Sequence, residues 1–218
     1  WLPILIAVIT GYLLGNLNGA VSMSVLLSNE DVRSKGSGNA GLTNFIRNYG
    51  VQNALLVFLF DGGKAVLSCL IGGWLLGNYG MGLEGRILGG LFVIVGHVFP
   101  AVYDFKGGKG ILSGFFVALT VDWRVALIIL GVFAVVYALT MYVSLSSVLG
   151  AGAFCVSFAI FYFGNWMMVI CGVAAGLLTI IMHHTNIKRL CTWENGKCKE
   201  NPMPLWFKES CKSRRNKK

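Results

Sequence analysis

The feature that most constrains this chain is a succession of apolar runs with few charges in them, most long enough to cross a membrane. Seven can be drawn, at about 2–27, 51–76, 86–103, 110–121, 125–142, 148–163 and 166–182. A hydrocarbon layer about 30 Å thick takes about 20 helical residues to cross. The pattern therefore predicts an all-α, polytopic membrane helix bundle with about seven transmembrane helices, six being the alternative. The run at 110–121 is too short to span unless it tilts or thins the bilayer. A break near Asp122 and Arg124 could instead make it part of a re-entrant pair. Hydrophobic residues make up 56% of the 218 positions and charged ones 12%, about half the usual charged share of a soluble domain. Trp1 to Leu14 lacks a basic n-region and its apolar run continues into the first span, so no cleavable signal peptide is expected.

Charge sets the orientation. Threading seven spans puts Arg33, Lys35, Arg47, Lys106, Lys109 and the ten cations from Lys188 onward on one side. The other side holds only Arg86 and Arg124, and Lys64 falls within the second span. By the positive-inside rule the C-terminus is cytoplasmic and Trp1 outside. The net charge of +9 belongs mostly to that tail and suits anionic lipid headgroups. No aromatic-interleaved basic module precedes it, so nucleic acid is not expected as a partner. The chain divides into a membrane domain, 1–190, and a basic cytoplasmic tail, 191–218.

Six cysteines form no C-x-x-C pair, and neither a metal site nor a cofactor is expected. Cys69, Cys155 and Cys171 sit in apolar runs, where cysteine acts as a small hydrophobe. Cys191, Cys198 and Cys211 read as free thiols. The 29 glycines recur at four-residue spacing in places, as at Gly11, Gly15 and Gly19. That predicts close helix packing within the chain, since small residues let backbones approach in lipid.

Four polar pieces interrupt the apolar pattern, all on the same predicted face. The first is Gly36-Ser37-Gly38-Asn39-Ala40-Gly41-Leu42-Thr43-Asn44 with Arg47. Its literal G-x-G-x-x-G follows a membrane span rather than a strand, so the dinucleotide reading fails. The physical content survives: glycines expose backbone N–H groups to an anion, and Arg47 adds a phosphate fork. The second runs from Gly96-His97 to Lys106-Gly107-Gly108-Lys109-Gly110, two lysines around a Gly-Gly turn that is not a Walker loop. The third is His183-His184-Thr185-Asn186-Ile187-Lys188-Arg189. Adjacent histidines cannot easily face one site on a helix, so acid–base chemistry fits better than a metal pair. The fourth, Tyr142-Val143-Ser144, is a short serine-bearing link. Together they predict a cytoplasmic, membrane-level pocket for a phosphorylated small substrate, with lipid access for an acyl-bearing one.

These blocks resemble the motifs of the bacterial acyl-phosphate–glycerol-3-phosphate acyltransferase family, in order, across about residues 10–190. The resemblance implies transfer of a fatty acyl group from acyl phosphate to the first-position hydroxyl of glycerol 3-phosphate, in a bacterial plasma membrane. It implies that Ser37, Gly38, Asn39, Gly41, Thr43, Asn44 and Arg47 bind substrate. It implies the same for His97, Lys106, Gly107, Gly108, Lys109, Gly110, Ser144, Lys188 and Arg189. His183 and Asn186 would sit near the reacting hydroxyl. The chain differs from the usual pattern at Leu42, Leu112-Ser113, Met141, Met182 and His184, and around Trp193 to Asn195. The H-x-x-x-x-D pair of other glycerol-phosphate acyltransferases is missing, since Val102 and Lys188 occupy the acid's place. A phosphate or organophosphate transporter is the non-enzymatic alternative, but its sites belong near the membrane midplane.

Overall fold

The computed structural model describes residues 1–194 and 197–198. Its helices are α1 (Leu2–Asn16), α2 (Gly19–Ser28), α3 (Leu42–Gly77), α4 (Gly82–Val98), α5 (Ile111–Val121), α6 (Trp123–Thr140), α7 (Val143–Phe161), α8 (Trp166–Met182) and α9 (His184–Cys191). Strand pairing among the described residues is confined to Trp193–Glu194 with Lys197–Cys198. The rest of the basic tail lies outside the described residues.

The all-helical membrane bundle is as expected. Among the described residues five segments are long and apolar enough to cross a membrane: Leu2–Ser28, Leu42–Gly77, Gly82–Tyr103, Trp123–Thr140 and Val143–Phe161. The α8–α9 pair, bent by 52°, makes a sixth. The short run expected at 110–121 is the 11-residue α5. At 1.5 Å per residue it covers roughly 16 Å, about half the hydrocarbon thickness. Among the described residues seven apolar segments are therefore present, although only five or six have a spanning length.

Small residues bring the helices together. A Cβ at Gly85 would stand 2.1 Å from the Gly72 carbonyl oxygen, so α3 and α4 touch backbone to backbone there. The glycine at 15 on α1 meets α4 in the same way: a Cβ there would lie 2.4 Å from the Val93 oxygen. The expected intramolecular packing is thus observed. Around these contacts Ile87, Val93, Val117, Phe158 and Met168 form the core. Trp74, Leu139 and Phe163 remain 72%, 79% and 86% exposed. Such outward apolar side chains suit a hydrocarbon solvent.

Two interruptions matter for function. Leu17 is extended between α1 and α2, and Asn18 restarts the helix by accepting from the Val21 N–H at 3.0 Å. Helix α3 is broken at Gly50 (φ 80, ψ 167), a conformation that side-chain-bearing residues avoid. The sequence boundary expected for the second span, residue 51, falls at this break. The helical segment before it, Leu42 to Tyr49, carries Leu42, Thr43, Asn44 and Arg47 of the first motif.

Candidate active site

The loop between α2 and α3 is organised by two side chains. Asp31 caps a short 3-10 turn, and Arg33 binds its carboxylate through Nε and Nη2 at 2.9 and 2.7 Å. Burial pushes the Asp31 carboxyl upward, but the Arg33 hydrogen bonds outweigh it and hold the group below the ordinary aspartate range. The Arg33 Nη1 also donates to the Tyr103 and Lys106 carbonyls at 2.8 and 3.1 Å, tying the first loop to the second. Asn44 is buried and faces inward. Its amide donates to the carbonyls of Val32, Lys35 and Asn39, while its oxygen accepts from the Ser37 N–H at 2.9 Å. Its polar atoms therefore hold the loop in shape. Gly41 precedes α3, whose first N–H groups lack intrahelical acceptors and favour an anion.

The second loop folds back on the end of α4. The N–H groups of Gly107 and Gly108 donate to the carbonyls of Val98 and His97, each at 3.1 Å. A Cβ at Gly107 would stand 2.0 Å from the His97 oxygen, and one at Gly108 would stand 2.1 Å from His97 Nε2. The Gly-Gly pair lets the loop lie against the histidine. Lys109 and Gly110 then reach the cavity. The Lys109 Nζ donates to Asn186 Oδ1 at 2.6 Å, linking the second motif to the third.

His183 sits at the bend between α8 and α9, 4% exposed. Its Nδ1 lies 2.8 Å from the Thr179 carbonyl, which can only accept, so Nδ1 carries the proton and Nε2 keeps its lone pair. His184 is exposed, with its Nδ1 on the Ile181 carbonyl. His183, Asn186 and Arg189 line the cavity at three-residue spacing, one face of the bent helix.

A cavity of about 1270 Å³ brings these parts together. Ser37, Asn39, Gly41, Thr43, Asn44, Arg47, His97, Lys109, Gly110, Ser144, His183, Asn186 and Arg189 line it. Gly38, Lys106, Gly107, Gly108 and Lys188 do not, and of these Lys106 meets the site only through the hold of Arg33 on its carbonyl. The remaining wall is apolar, with Phe58, Ile111, Phe115, Ile129, Phe133 and Phe154 prominent. Among the described residues no three His, Cys, Asp or Glu side chains converge as a metal site.

Sequence reasoning missed Asp61 and Lys64. Asp61 lines the cavity and Lys64 lies behind it, their side chains 2% and 4% exposed and 2.8 Å apart. They take over a hydrogen bond lost at the α1–α2 break. The Gly19 N–H donates to Asp61 Oδ1 at 3.0 Å, while Lys64 Nζ donates to the Gly15 carbonyl at 3.3 Å and to that of Leu17. The signal was present: an acid and a base three apart inside an apolar run are costly in lipid and mark a functional region by default.

Comparison with known proteins points to one family. The family model described as Glycerol-3-phosphate acyltransferase matches residues 5–193. The chain is 35% identical over 201 residues to a glycerol-3-phosphate acyltransferase of Finegoldia magna, covering 92% of this chain and 99% of that one. It is 39% identical over 182 residues to one from Thermoanaerobacter sp. (strain X514), covering 84% and 89%. Among solved structures it resembles PlsY (YgiH), an integral membrane glycerol 3-phosphate acyltransferase, in its glycerol 3-phosphate form. The TM-score is 0.80 at 28% identity, over 94% of this chain and 98% of that one. The lysophosphatidic acid form of the same protein gives a TM-score of 0.74. With three motif loops converging on one cavity and a family match across nearly the whole bundle, the chain belongs to the glycerol-3-phosphate acyltransferase family.

Proposed function

We propose that this chain transfers a fatty acyl group from an acyl phosphate to the sn-1 hydroxyl of glycerol 3-phosphate, giving lysophosphatidic acid and inorganic phosphate. One observation carries the reading. A single cavity joins polar groups from three motif loops to apolar walls supplied by α3, α5, α6 and α7. A phosphorylated polyol and an acyl chain can meet there. The solved relative is described in glycerol 3-phosphate and lysophosphatidic acid forms, which supports the same acceptor and product here.

Arg47, Lys109 and Arg189 supply positive charge to the cavity. Its lining acid, Asp61, is already matched by Lys64. Such cationic side chains suit bound phosphates. The acceptor hydroxyl attacks the acyl carbonyl, forming the new C–O ester bond as the bond to the leaving phosphate breaks. Fixed donors stabilise charge at the carbonyl oxygen and on that phosphate. The hydroxyl proton passes to His183 Nε2, whose lone pair is held available by the Thr179 carbonyl behind the ring. Phosphate leaves readily, so no acyl-enzyme is formed. Asn186, held by Lys109, positions the acceptor.

The cation balance supports a cytoplasmic site in a bacterial plasma membrane, with the N-terminus outside. Glycerol 3-phosphate then arrives from water and the acyl phosphate from the bilayer. The test is purified full-length chain with acyl phosphate and radiolabelled glycerol 3-phosphate. Labelled lysophosphatidic acid is expected, with no covalent acyl-protein trapped on quenching. Label accumulating inside vesicles without product would replace the enzyme with a transporter.

A further inference from the structure

We propose that the buried Asp61–Lys64 pair is a positioning device that fixes His97 as an N–H donor to the cavity, serving a negatively charged oxygen of bound substrate. Lys64 Nζ lies 3.0 Å from His97 Nδ1. The same nitrogen faces three other acceptors: the Asp61 carboxylate and the carbonyls of Gly15 and Leu17. A nitrogen ringed by a carboxylate and two carbonyls is an ammonium, and an ammonium has no lone pair to offer. His97 Nδ1 must therefore accept, which places the ring proton on Nε2.

Nε2 has no hydrogen-bond partner among the described residues. It is not sealed off either, because Ser113 Oγ is the one side-chain nitrogen or oxygen there that is both shut in and unpartnered. His97 is only 4% exposed overall, yet it lines the cavity. A buried N–H left without an acceptor is costly unless a ligand supplies one. The Gly107–Gly108 turn packs against this ring and limits its movement. Asp61 acts one step further back: its Oδ1 holds the ammonium at 2.8 Å and is itself anchored by the Gly19 N–H. The two cavity histidines thus present opposite faces. His183 shows a lone pair because a carbonyl stands behind it, and His97 shows a proton because an ammonium does.

The activity part of the test rests on the acyl-transfer reading, and the spectroscopic part does not. The full chain in detergent has three histidines, so selective nitrogen-15 labelling with a His97→Gln comparison assigns the ring of His97. Two-bond proton–nitrogen spectra should show it neutral with the proton on Nε2. An Nδ1–H ring or an imidazolium would overturn the proposal. Folded Lys64→Met should lose this single tautomer, and an unchanged spectrum would also overturn it. If Lys64→Met does not fold, the activity pair still decides. His97→Gln keeps an N–H near the Nε2 position and should stay within about tenfold of the parent kcat/KM. His97→Asn cannot reach there and should fall about a hundredfold, the loss typical of one preorganised donor. Equal loss in both variants would sink the donor role. A parent chain that makes no lysophosphatidic acid would overturn the proposed function alone, leaving the spectrum to judge the Lys64–His97 arrangement.

Discussion

Two acid–base pairs, at opposite ends of the bundle, are built from similar chemistry and do different work. At the loop-rich end Asp61 and Lys64 are both nearly inaccessible, and their contacts reach Gly15, Gly19 and His97. At the other end Asp122 caps α6, and Arg124, two residues on, returns to it at 2.7 Å while remaining 57% exposed. The second pair closes locally and needs little from the rest of the fold, apart from the Tyr162 hydroxyl at 3.0 Å. Nearby, Asn165 meets Glu84 at 2.7 Å and Arg86 meets the Thr120 carbonyl at 3.1 Å, again as simple stitches between helices. Polar groups at that end finish helices. Those at the loop-rich end converge from five parts of the sequence on one space, and that convergence marks the site.

This contrast can be broken by separating activity from stability. The largest effect is expected for His183→Gln, with kcat falling by about 10²–10⁴, the range for a lost acid–base group, and thermal unfolding unchanged. Turnover at the parent rate would remove His183 from proton transfer. Next comes Lys64→Met, which strands the Asp61 carboxylate. Unfolding in detergent should show a loss of about 3–5 kcal/mol, the usual cost of breaking a buried pair from one side. Arg124→Met, by comparison, should cost no more than about 1 kcal/mol, because the Arg124 side chain is 57% exposed and the buried Asp122 keeps the residue-124 backbone N–H and the Tyr162 hydroxyl. Equal shifts in the two variants would erase the distinction between the ends. Gly108→Ala tests whether the glycine turn serves His97. Its Cβ has no room beside Nε2, and the displaced ring should cost about a hundredfold in kcat/KM, as a misplacement of about 1 Å can.

The smallest effect concerns pH. The Arg124 hydrogen bonds draw the Asp122 carboxyl below its usual range, against a smaller upward push from burial. A depressed folded-state pKa gives stability that is present at neutral pH and lost as pH falls through the folded value. Melting of the parent chain should therefore weaken below about pH 4, the ordinary aspartate range, and Asp122→Asn should flatten that limb. An identical acid limb in both proteins would assign the effect to other carboxyls.

How much of this is legible in sequence follows from how local each feature is. The spans and motif loops are readable because apolar length and glycine-rich polarity are properties of contiguous residues. Even the α3 break is visible as the place where residue 51 begins an apolar run. The lining of the apolar wall is not readable, since Phe58, Phe115 and Phe133 look like any lipid-facing phenylalanine until the helices are packed. Asn44 resembles a ligand by type, but its amide is spent on three carbonyls scattered along the loop. The role of Lys64 depends on a carbonyl freed at Leu17 and a ring 33 positions further on, neither of which follows from local pattern.

The break at Gly50 separates two demands that a continuous helix would have to meet at once. Residues 51–77 answer to the thickness of the bilayer and to the fit against α4. Residues 42–49 answer to the cavity, which Thr43, Asn44 and Arg47 line. With the break at Gly50 between them, the length of the span and the aim of Thr43 and Arg47 are set separately. Gly50→Ala would strain that break, since its φ of 80° is one that side-chain-bearing residues avoid, and so would couple the span to the site.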